Sequence, residues 1–210
     1  MSAQARRIVL ASGSPRRREL LTALGVTYEV DPADVDETTD EQDPVRVAEE
    51  LALLKARTVA ARRPAAVVIG SDTVVALDGR LLGKPADTEE ARAMLRSLRG
   101  RTHEVVTGVA VIAGGPTGRI ERVAHSSTAV TMREYADDEI EAFIATGSPF
   151  DKAGGYASQD PVFTPTARID GCPCGVVGLP LWTLRALLRD AGVEVGTPAL
   201  ERCAGCLERD

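Results

Sequence analysis

The chain has 210 residues and a mass of 22.2 kDa. This length fits one domain or two small lobes that share a core, and it excludes a multidomain assembly. Hydrophobic residues make up 44% and charged residues 27%, which excludes intrinsic disorder and predicts a full core. Lysine and arginine number 25 against 31 acidic residues, and the resulting charge of −6 argues against nucleic-acid binding by counterion release. No apolar run reaches the ~18 residues that span a bilayer, so we expect a cytoplasmic protein with no membrane partner.

Apolar runs and turn residues predict strands that alternate with helices. A strand over Ile8–Ala11 is followed by leucines at helical spacing, with Ser14 as the expected N-cap and Gly25 as the expected stop. Asp78-Gly79 is typical of a hairpin turn. The other predicted elements are strand Thr27–Val30, an acidic loop over 31–43, helix Val45–Arg62, strands Ala65–Ile69 and Thr73–Leu77, a helix from Asp87 or Thr88 to Leu98, strands Val105–Ala113 and Ile120–Met132 around a turn over 114–118, and helices Asp137–Thr146 and Leu181–Ala191.

This order of elements predicts an α/β fold with a mixed sheet. We expect one α/β domain over residues 1–192 and a tail over residues 193–210 that carries a cysteine pair. The dinucleotide motif G-x-G-x-x-G and the P-loop are both absent from the sequence. Neither of the usual glycine-rich phosphate cradles is therefore expected.

Three arginines stand where the first predicted helix begins, in the segment 12–18 (SGSPRRR). Positive side chains oppose the helix dipole at that end, whereas free N–H groups there favour an anion. Either at least two of the three arginines are phosphate ligands, or all three are solvated surface charges.

Asp72 follows an apolar run and is expected at a strand end. There it either holds Mg²⁺ or takes a proton from water, or it bonds its own backbone as a turn aspartate. Asp36 and Glu37 offer a second carboxylate in the acidic loop, and Mg²⁺ usually takes one or two carboxylates together with phosphate oxygens. The alternative is that this acidic loop is exposed to solvent and binds no metal.

Lysine is rare in this chain. Only three of the 25 basic residues are lysines, namely Lys55, Lys84 and Lys152. Because arginine and lysine differ as ligands, these positions either need a compact ammonium group near phosphate or hold lysine by chance. His103 and His125 lie far apart and are expected to be ordinary hydrogen-bonding residues.

The four cysteines form the pairs Cys172-x-Cys174 and Cys203-x-x-Cys206. Paired spacing of reduced cysteines is typical of a structural zinc site. The alternatives are free thiols or a disulfide within the tail, although thiols in a cytoplasmic chain are expected to stay reduced.

Eight short motifs follow one another in a distinctive order: LASGSPRRRELL (10–21), DVDET (34–38), LLKA (53–56), GSDTVV (70–75), GKPAD (83–87), HEVVTGV (103–109), PFDKAGGYASQ (149–159) and VVGLPL (176–181). Together, and with this spacing over about residues 8–190, they resemble the Maf family of nucleoside triphosphate pyrophosphatases. Each motif alone is weak, but the ordered set is highly specific.

The resemblance implies a long, twisted mixed sheet flanked by helices, in two lobes around a nucleotide cleft, of the inosine triphosphate pyrophosphatase type. It also implies cleavage of a nucleoside triphosphate between the α and β phosphates, with Mg²⁺ or Mn²⁺, in a protein that is commonly a homodimer. The family's proposed role is removal of non-canonical or surplus nucleotides, with an association with septum formation. The alternatives are a non-catalytic nucleotide-binding regulator of cell division and a zinc-dependent interaction module.

The matching motifs also imply roles for single residues. Asp72 resembles the general base or metal-positioning carboxylate, and Glu37 a helper that shares the metal. Arg16, Thr73 and Gln159 match the trio that marks the branch acting on dTTP and UTP, which a sister branch acting on 7-methyl-GTP lacks. The other implied substrate and catalytic residues are Ser12, Arg17, Lys55, Lys84, Asp151 and Lys152.

The chain departs from the family pattern in two stretches, 160–165 (DPVFTP) and 172–175 (CPCG). Both are expected near the base pocket. The departures therefore bear on the choice of nucleotide more than on the reaction.

Overall fold

The computed structural model describes residues 6–115 and 118–209. The strands are β1 (Ile8–Leu10), β2 (Tyr28–Val30), β3 (Val67–Leu77), β4 (Arg80–Leu82), β5 (Thr102–Gly115), β6 (Gly118–Met132) and β7 (Thr166–Asp170). The α-helices are α1 (Pro15–Thr22), α2 (Pro44–Arg62), α3 (Thr88–Leu98), α4 (Asp137–Ala145), α5 (Pro173–Val177), α6 (Leu181–Asp190) and α7 (Glu201–Ala204). Two 3-10 turns cover Ser148–Asp151 and Ala153–Gly155. Within the described ranges, no helix is long and apolar enough to cross a lipid bilayer.

All seven strands belong to one mixed sheet in the order β2-β1-β3-β5-β6-β7, with β4 paired to β3. β1 is parallel to both β2 and β3, and the remaining pairs are antiparallel. Helices cover this sheet, which confirms the predicted α/β class with a mixed sheet.

Local signals placed most of these elements correctly. The side chains of Ser14, Asp43 and Asp87 each accept a backbone N–H at a helix start, as N-caps do. Asp78 and Gly79 both have positive φ and connect β3 to β4, as a hairpin turn requires. The predicted turn over 114–118 lies partly outside the described residues. The short elements β7, α5 and α7 were not predicted, because none carries a periodic apolar pattern.

β3 corrects one prediction. The sequence predicts two strands with Asp72 at a strand end, yet β3 runs unbroken for 11 residues with Asp72 near its centre, paired with Gly108 of β5. A turn aspartate is thereby ruled out at this position. The prediction was wrong because Gly70 and Ser71 are typical of turns, whereas the glycine here meets a packing requirement.

That requirement is the close approach of α2 to the sheet. A Cβ atom at Gly70 would lie 2.2 Å from the carbonyl oxygen of Ala52, and one at Gly108 would lie 2.1 Å from that of Ala48. Glycine in a strand often marks such an approach of another backbone. The two glycines and the small residues of α2 therefore let the helix backbone rest directly on β3 and β5.

Neighbouring residues of β3 face opposite layers. Val67 and Ile69 pack with α1 and α6, whereas Val68 packs with the alanines of α2. β1 pairs with β3 only as far as Ile69, and β4 pairs with it again from Val75. The edge of β3 between these points is uncovered, and it lies at the end of β1 where ligands commonly bind in α/β sheets.

The contact between α2 and the sheet predicts the effect of Gly108→Ala. The added methyl group meets helix backbone that cannot rotate away, so we expect a loss of at least about 2 kcal/mol in the free energy of unfolding. Gly205→Ala is the matched control, since its Cβ would enter open space. Equal urea midpoints for the two variants would contradict the packing argument.

Candidate active site

A cavity of about 790 Å³ opens beside the uncovered edge of β3. Its volume is typical of small-molecule sites. The start of α1, the acidic loop, α2, the β4 hairpin, the 3-10 turns and α5 all contribute to its walls. The predicted site residues that line it are Arg16, Arg17, Glu37, Lys55, Asp72, Thr73, Lys84, Asp151, Lys152 and Gln159.

An ion triad lies in this cavity. Lys55 extends from α2 to Asp72 of β3, with Nζ 2.5 Å from Asp72 Oδ1, and the same Nζ lies 2.7 Å from Glu37 Oε1. The side chains of Lys55 and Asp72 are each only 10% exposed, so their charges depend on each other. Burial raises the pKa of Glu37, but the hydrogen bond and charge of Lys55, with the charges of Lys84 and Arg17, outweigh it and hold that pKa below its ordinary value.

Arg17 joins α1 to the strands. Its Nε donates to the carbonyl oxygen of Gly178 at 2.9 Å, and its terminal nitrogens contact Ser12 Oγ at 3.2 Å and Thr73 Oγ1 at 3.3 Å. Burial lowers the pKa of Arg17, although the charges of Asp72 and Glu37 oppose this, and the guanidinium stays cationic. Ser12 is buried behind Arg17, so it supports the arginine rather than lining the cavity.

The three lysines of the chain all line the same cavity. Lys84 comes from the loop after β4, and its charge lowers the pKa of Glu37. Lys152 Nζ donates to the carbonyl oxygen of Ser148 at 2.6 Å and pairs with Asp151. The spacing of these lysines along the sequence does not reveal that they converge, but their rarity did single them out.

The profile described as Maf-like protein matches residues 7–191, which is most of the chain. The chain belongs to the Maf-like protein family. This confirms the resemblance that the ordered motifs indicate.

Three curated relatives of this Maf-like chain carry the same name. The dTTP/UTP pyrophosphatase of Thermomicrobium roseum is 54% identical over 91% of this chain and 87% of its own length. The proteins of the same name from Moorella thermoacetica and Deinococcus radiodurans are both 48% identical, over 90% and 89% of this chain and 97% and 94% of theirs. Among solved structures, the Ham1 protein of Staphylococcus aureus matches 63% of this chain and 73% of its own at 23% identity and a TM-score of 0.43.

Backbone carbonyls of α5 and its C-terminal end contact the strands behind the cavity. Ser71 Oγ lies within hydrogen-bond distance of the carbonyl oxygens of Gly108 and Gly178, and Thr107 Oγ1 lies within that distance of the carbonyl oxygen of Gly175 and of Thr73 Oγ1. Sequence reasoning missed these contacts, since a backbone acceptor leaves no trace in residue type. The one sequence signal for these contacts was Thr107, which lies in the HEVVTGV motif.

Both departures from the family pattern adjoin residues that line the cavity. The stretch 172–175 leads into α5, whose Val176 and Val177 line the cavity. The stretch 160–165 follows Gln159, and its Phe163 stacks on Phe143 in a core cluster that also contains Tyr156 of the cavity wall. The expectation that both stretches lie near the base pocket stays a prediction.

The tail reaches the rim of the cavity. Arg202 of α7 donates from Nη1 to Oε1 of Gln159, and its Nη2 lies 3.9 Å from a carboxylate oxygen of Glu19. Sequence reasoning assigned no role to Arg202. The tail thus contacts Gln159, one of the three residues that match the dTTP and UTP branch.

The four cysteines converge under α5. Cys174 and Cys203 form a disulfide, while Cys172 and Cys206 are buried free thiols. The alternative of a disulfide within the tail was wrong, because Cys203 bonds across to the first pair rather than to Cys206. The expectation that all four stay reduced also differs from the structure.

The two histidines are hydrogen-bonded as expected. His103 Nε2 lies 2.6 Å from the hydroxyl of Tyr156, which lines the cavity, and His125 Nδ1 lies 2.8 Å from Glu49 Oε1. Burial lowers the pKa of His103 from 6.5 to about 4. His103 is therefore neutral at pH 7 and serves as part of the wall behind Tyr156.

The lowered pKa of His103 predicts how stability depends on pH. Between pH 6.5 and 4 the unfolded chain binds a proton that the folded chain does not, so stability falls as pH falls through this window. We expect a loss of about 2 kcal/mol between pH 7 and pH 5 that His103→Gln abolishes. Urea unfolding of both proteins at the two pH values measures it, and the same pH dependence in the variant would contradict this assignment.

Proposed function

We propose that this Maf-like protein hydrolyses dTTP and UTP to the nucleoside monophosphate and pyrophosphate. The observation that carries the proposal is the buried Lys55 ammonium between Asp72 and Glu37, in a cavity that two arginines and two further lysines also line. The name shared by relatives 48–54% identical to this chain supports the same conclusion.

The charges of the cavity suit a triphosphate. Arg16 and Arg17 stand at the start of α1, where the helix dipole already attracts an anion, and Lys84 and Lys152 lie on other walls of the cavity. The guanidinium group of an arginine can donate to two phosphate oxygens at once, whereas the ammonium group of a lysine acts as a point charge. We therefore assign these four side chains to the phosphate chain, with Ser12 holding Arg17 and Asp151 holding Lys152.

The carboxylates of Asp72 and Glu37 fit a divalent cation. Both are hard oxygen ligands, and one ammonium between two carboxylates leaves a net charge of −1 that a cation can offset. Mg²⁺ or Mn²⁺ would be held by these two residues together with phosphate oxygens. Bound there, it would neutralise charge that develops on the phosphates during cleavage.

The reaction then follows from positioning and electrostatics. Asp72 orients a water molecule and accepts its proton as the water oxygen bonds to the α-phosphorus. The P–O bond to the bridging oxygen breaks, and its electron pair leaves with pyrophosphate, whose charge the arginines and lysines stabilise. Lys55 keeps both carboxylates in place through this step. Glu37, which lies on the acidic loop, assists from the opposite side of the ammonium.

Gln159 supports selection of uracil and thymine. A guanidinium group only donates hydrogen bonds, so Arg202 must face the amide oxygen of Gln159 and thereby leaves the amide –NH₂ free to donate. Uracil and thymine present an acceptor at O4, whereas cytosine presents an amino group there. An amide held in this orientation would favour UTP and dTTP over CTP. We place this activity in the cytoplasm, where it would remove surplus or modified nucleotides.

The role of Asp72 is tested by Asp72→Asn. The amide cannot accept the proton, so we expect pyrophosphate release from UTP with Mg²⁺ to fall by at least about 100-fold. Lys55 keeps its partner Glu37, and the fold should persist in circular dichroism. Asp78→Asn is the matched control, because this exposed residue follows the same strand and pairs with Arg101 away from the cavity.

Two results would count against the proposal. Turnover by Asp72→Asn close to that of the wild type would remove the carboxylate from the mechanism. Tight UTP binding without pyrophosphate release by the wild type would instead support the non-catalytic regulator of cell division.

The contact between Arg202 and Gln159 predicts an effect on base selection. Without the guanidinium group, the side-chain amide of Gln159 can rotate and exchange its oxygen and –NH₂ positions. We therefore expect Arg202→Met to lower the ratio of kcat/KM for UTP to kcat/KM for CTP by about tenfold, which corresponds to ~1.4 kcal/mol. Arg209→Met is the control, since it removes the same charge from the tail at a residue that lies over Trp182. An unchanged ratio in Arg202→Met would show that the tail does not orient the amide.

A further inference from the structure

All the cysteines of the chain gather in one buried cluster. Cys172 and Cys174 stand at the start of α5, Cys203 lies on α7 and Cys206 follows it. Each is at most 5% exposed, and all four belong to the core cluster that also contains α1 and α6. Two segments that lie 28 residues apart in the chain thus each bring a closely spaced pair of sulfur atoms to one place.

The disulfide accounts for only half of this cluster. Cys172, Cys206 and Glu208 place a possible ligand atom each within 4.8 Å of one another. Two buried thiols side by side contribute little to stability that an apolar residue would not supply. In the sequence, each of these thiols is paired with a disulfide cysteine in C-x-C or C-x-x-C spacing, and such paired spacing is typical of thiolate metal sites.

Hydrogen-bond donors and cationic side chains surround this cluster. Burial, Cys206 and Glu208 raise the pKa of Cys172, so without a metal its sulfur is a thiol. The backbone N–H of Gly175 donates to Cys172 Sγ at 3.3 Å, which stabilises negative charge on that sulfur. Arg185 and Arg209 lie over the ring of Trp182, whose Nε1 donates to the carbonyl oxygen of Cys203 at 3.0 Å. Both guanidinium groups are thus connected to the cysteine cluster through Trp182.

We propose that Cys172, Cys174, Cys203 and Cys206 form a tetrathiolate site for Zn²⁺ that fastens the tail to α5. The disulfide is then the oxidised form of the empty site. A dithiol reductant transfers two electrons and two protons to it, leaving thiols on Cys174 and Cys203 and a disulfide on the reductant. Binding of Zn²⁺ releases the four thiol protons and forms four Zn–S bonds.

The site would connect the tail to the catalytic cavity. α5 contributes Val176 and Val177 to the cavity wall, and α7 carries Arg202 to Gln159. Cys203 and Cys206 lie beyond residues 7–191, the part of the chain that matches the Maf-like profile. The proposed metal therefore holds an addition to the family's domain in contact with its substrate site.

Metal content and thiol count test the proposal together. We expect wild-type protein, purified with a phosphine reductant and without chelator, to contain about one zinc per chain by plasma mass spectrometry. The reductant is removed from the native protein first, and subsequent denaturation with EDTA should show four thiols by Ellman titration. The Cys203→Ser/Cys206→Ser double variant should lose the zinc, whereas Glu208→Gln and Asp72→Asn should keep it, since neither carboxylate is a ligand.

Cobalt substitution makes the test independent of any variant. Wild-type protein loaded with Co²⁺ should give the intense visible and near-ultraviolet bands of tetrahedral thiolate coordination. Absence of zinc would overturn the proposal, with two thiols indicating a structural disulfide and four indicating free thiols. Zinc lost in Asp72→Asn would place the metal in the catalytic cavity, and zinc lost in Glu208→Gln would exclude a tetrathiolate. None of these readouts depends on pyrophosphatase activity.

Discussion

The cavity of the proposed active site depends on the absence of two Cβ atoms. Gly70 and Gly108 let the backbone of α2 lie directly on the centre of the sheet, where any side chain would meet a helix carbonyl at about 2 Å. Because α2 lies this close, a lysine on its surface can reach a carboxylate in the middle of β3. If α2 lay one side-chain layer farther from the sheet, the Lys55 ammonium and the Asp72 carboxylate would be buried without their ion pair. The same contact therefore serves both the packing of the domain and the assembly of its charges.

Those charges are arranged in two shells. Inside, Lys55 holds Asp72 and Glu37 together, and the pair of carboxylates remains negative overall. Around them, arginines and lysines from three different parts of the chain present positive charge to the same space. Opposite charges placed in this order suit a phosphate chain bridged to carboxylates by a divalent cation, because each component neutralises its neighbour. A triphosphate without such surroundings would repel the carboxylates that its hydrolysis needs.

Much of the site was predictable, for reasons that differ between residues. Arg16 and Arg17 were identifiable because their charge is unfavourable at a helix start unless an anion binds there, and both line the cavity. The lysines stood out by rarity, and the remaining residues came from the resemblance of ordered motifs. The predicted role of Ser12 at the substrate stays a prediction, and in the structure this buried serine accepts a hydrogen bond from Arg17. β3 was wrongly divided into two strands, because glycine and serine in a central strand have the composition of a turn. The carbonyls of Gly175 and Gly178 and the contact of Arg202 with Gln159 were not predictable, since backbone acceptors and the path of an irregular tail have no sequence pattern.

The sequence by itself determined the order of the elements, the α/β class, the helix caps and the family, because these depend on periodicity, local hydrogen bonds and ordered motifs. Only the tertiary structure decided that Asp72 faces α2 at the centre of a strand, that three scattered lysines share one cavity, and that four cysteines meet beneath α5. These are contacts between residues tens of positions apart in the chain. They follow from how closely two surfaces can approach, a property that belongs to the packed chain and not to any local stretch of it.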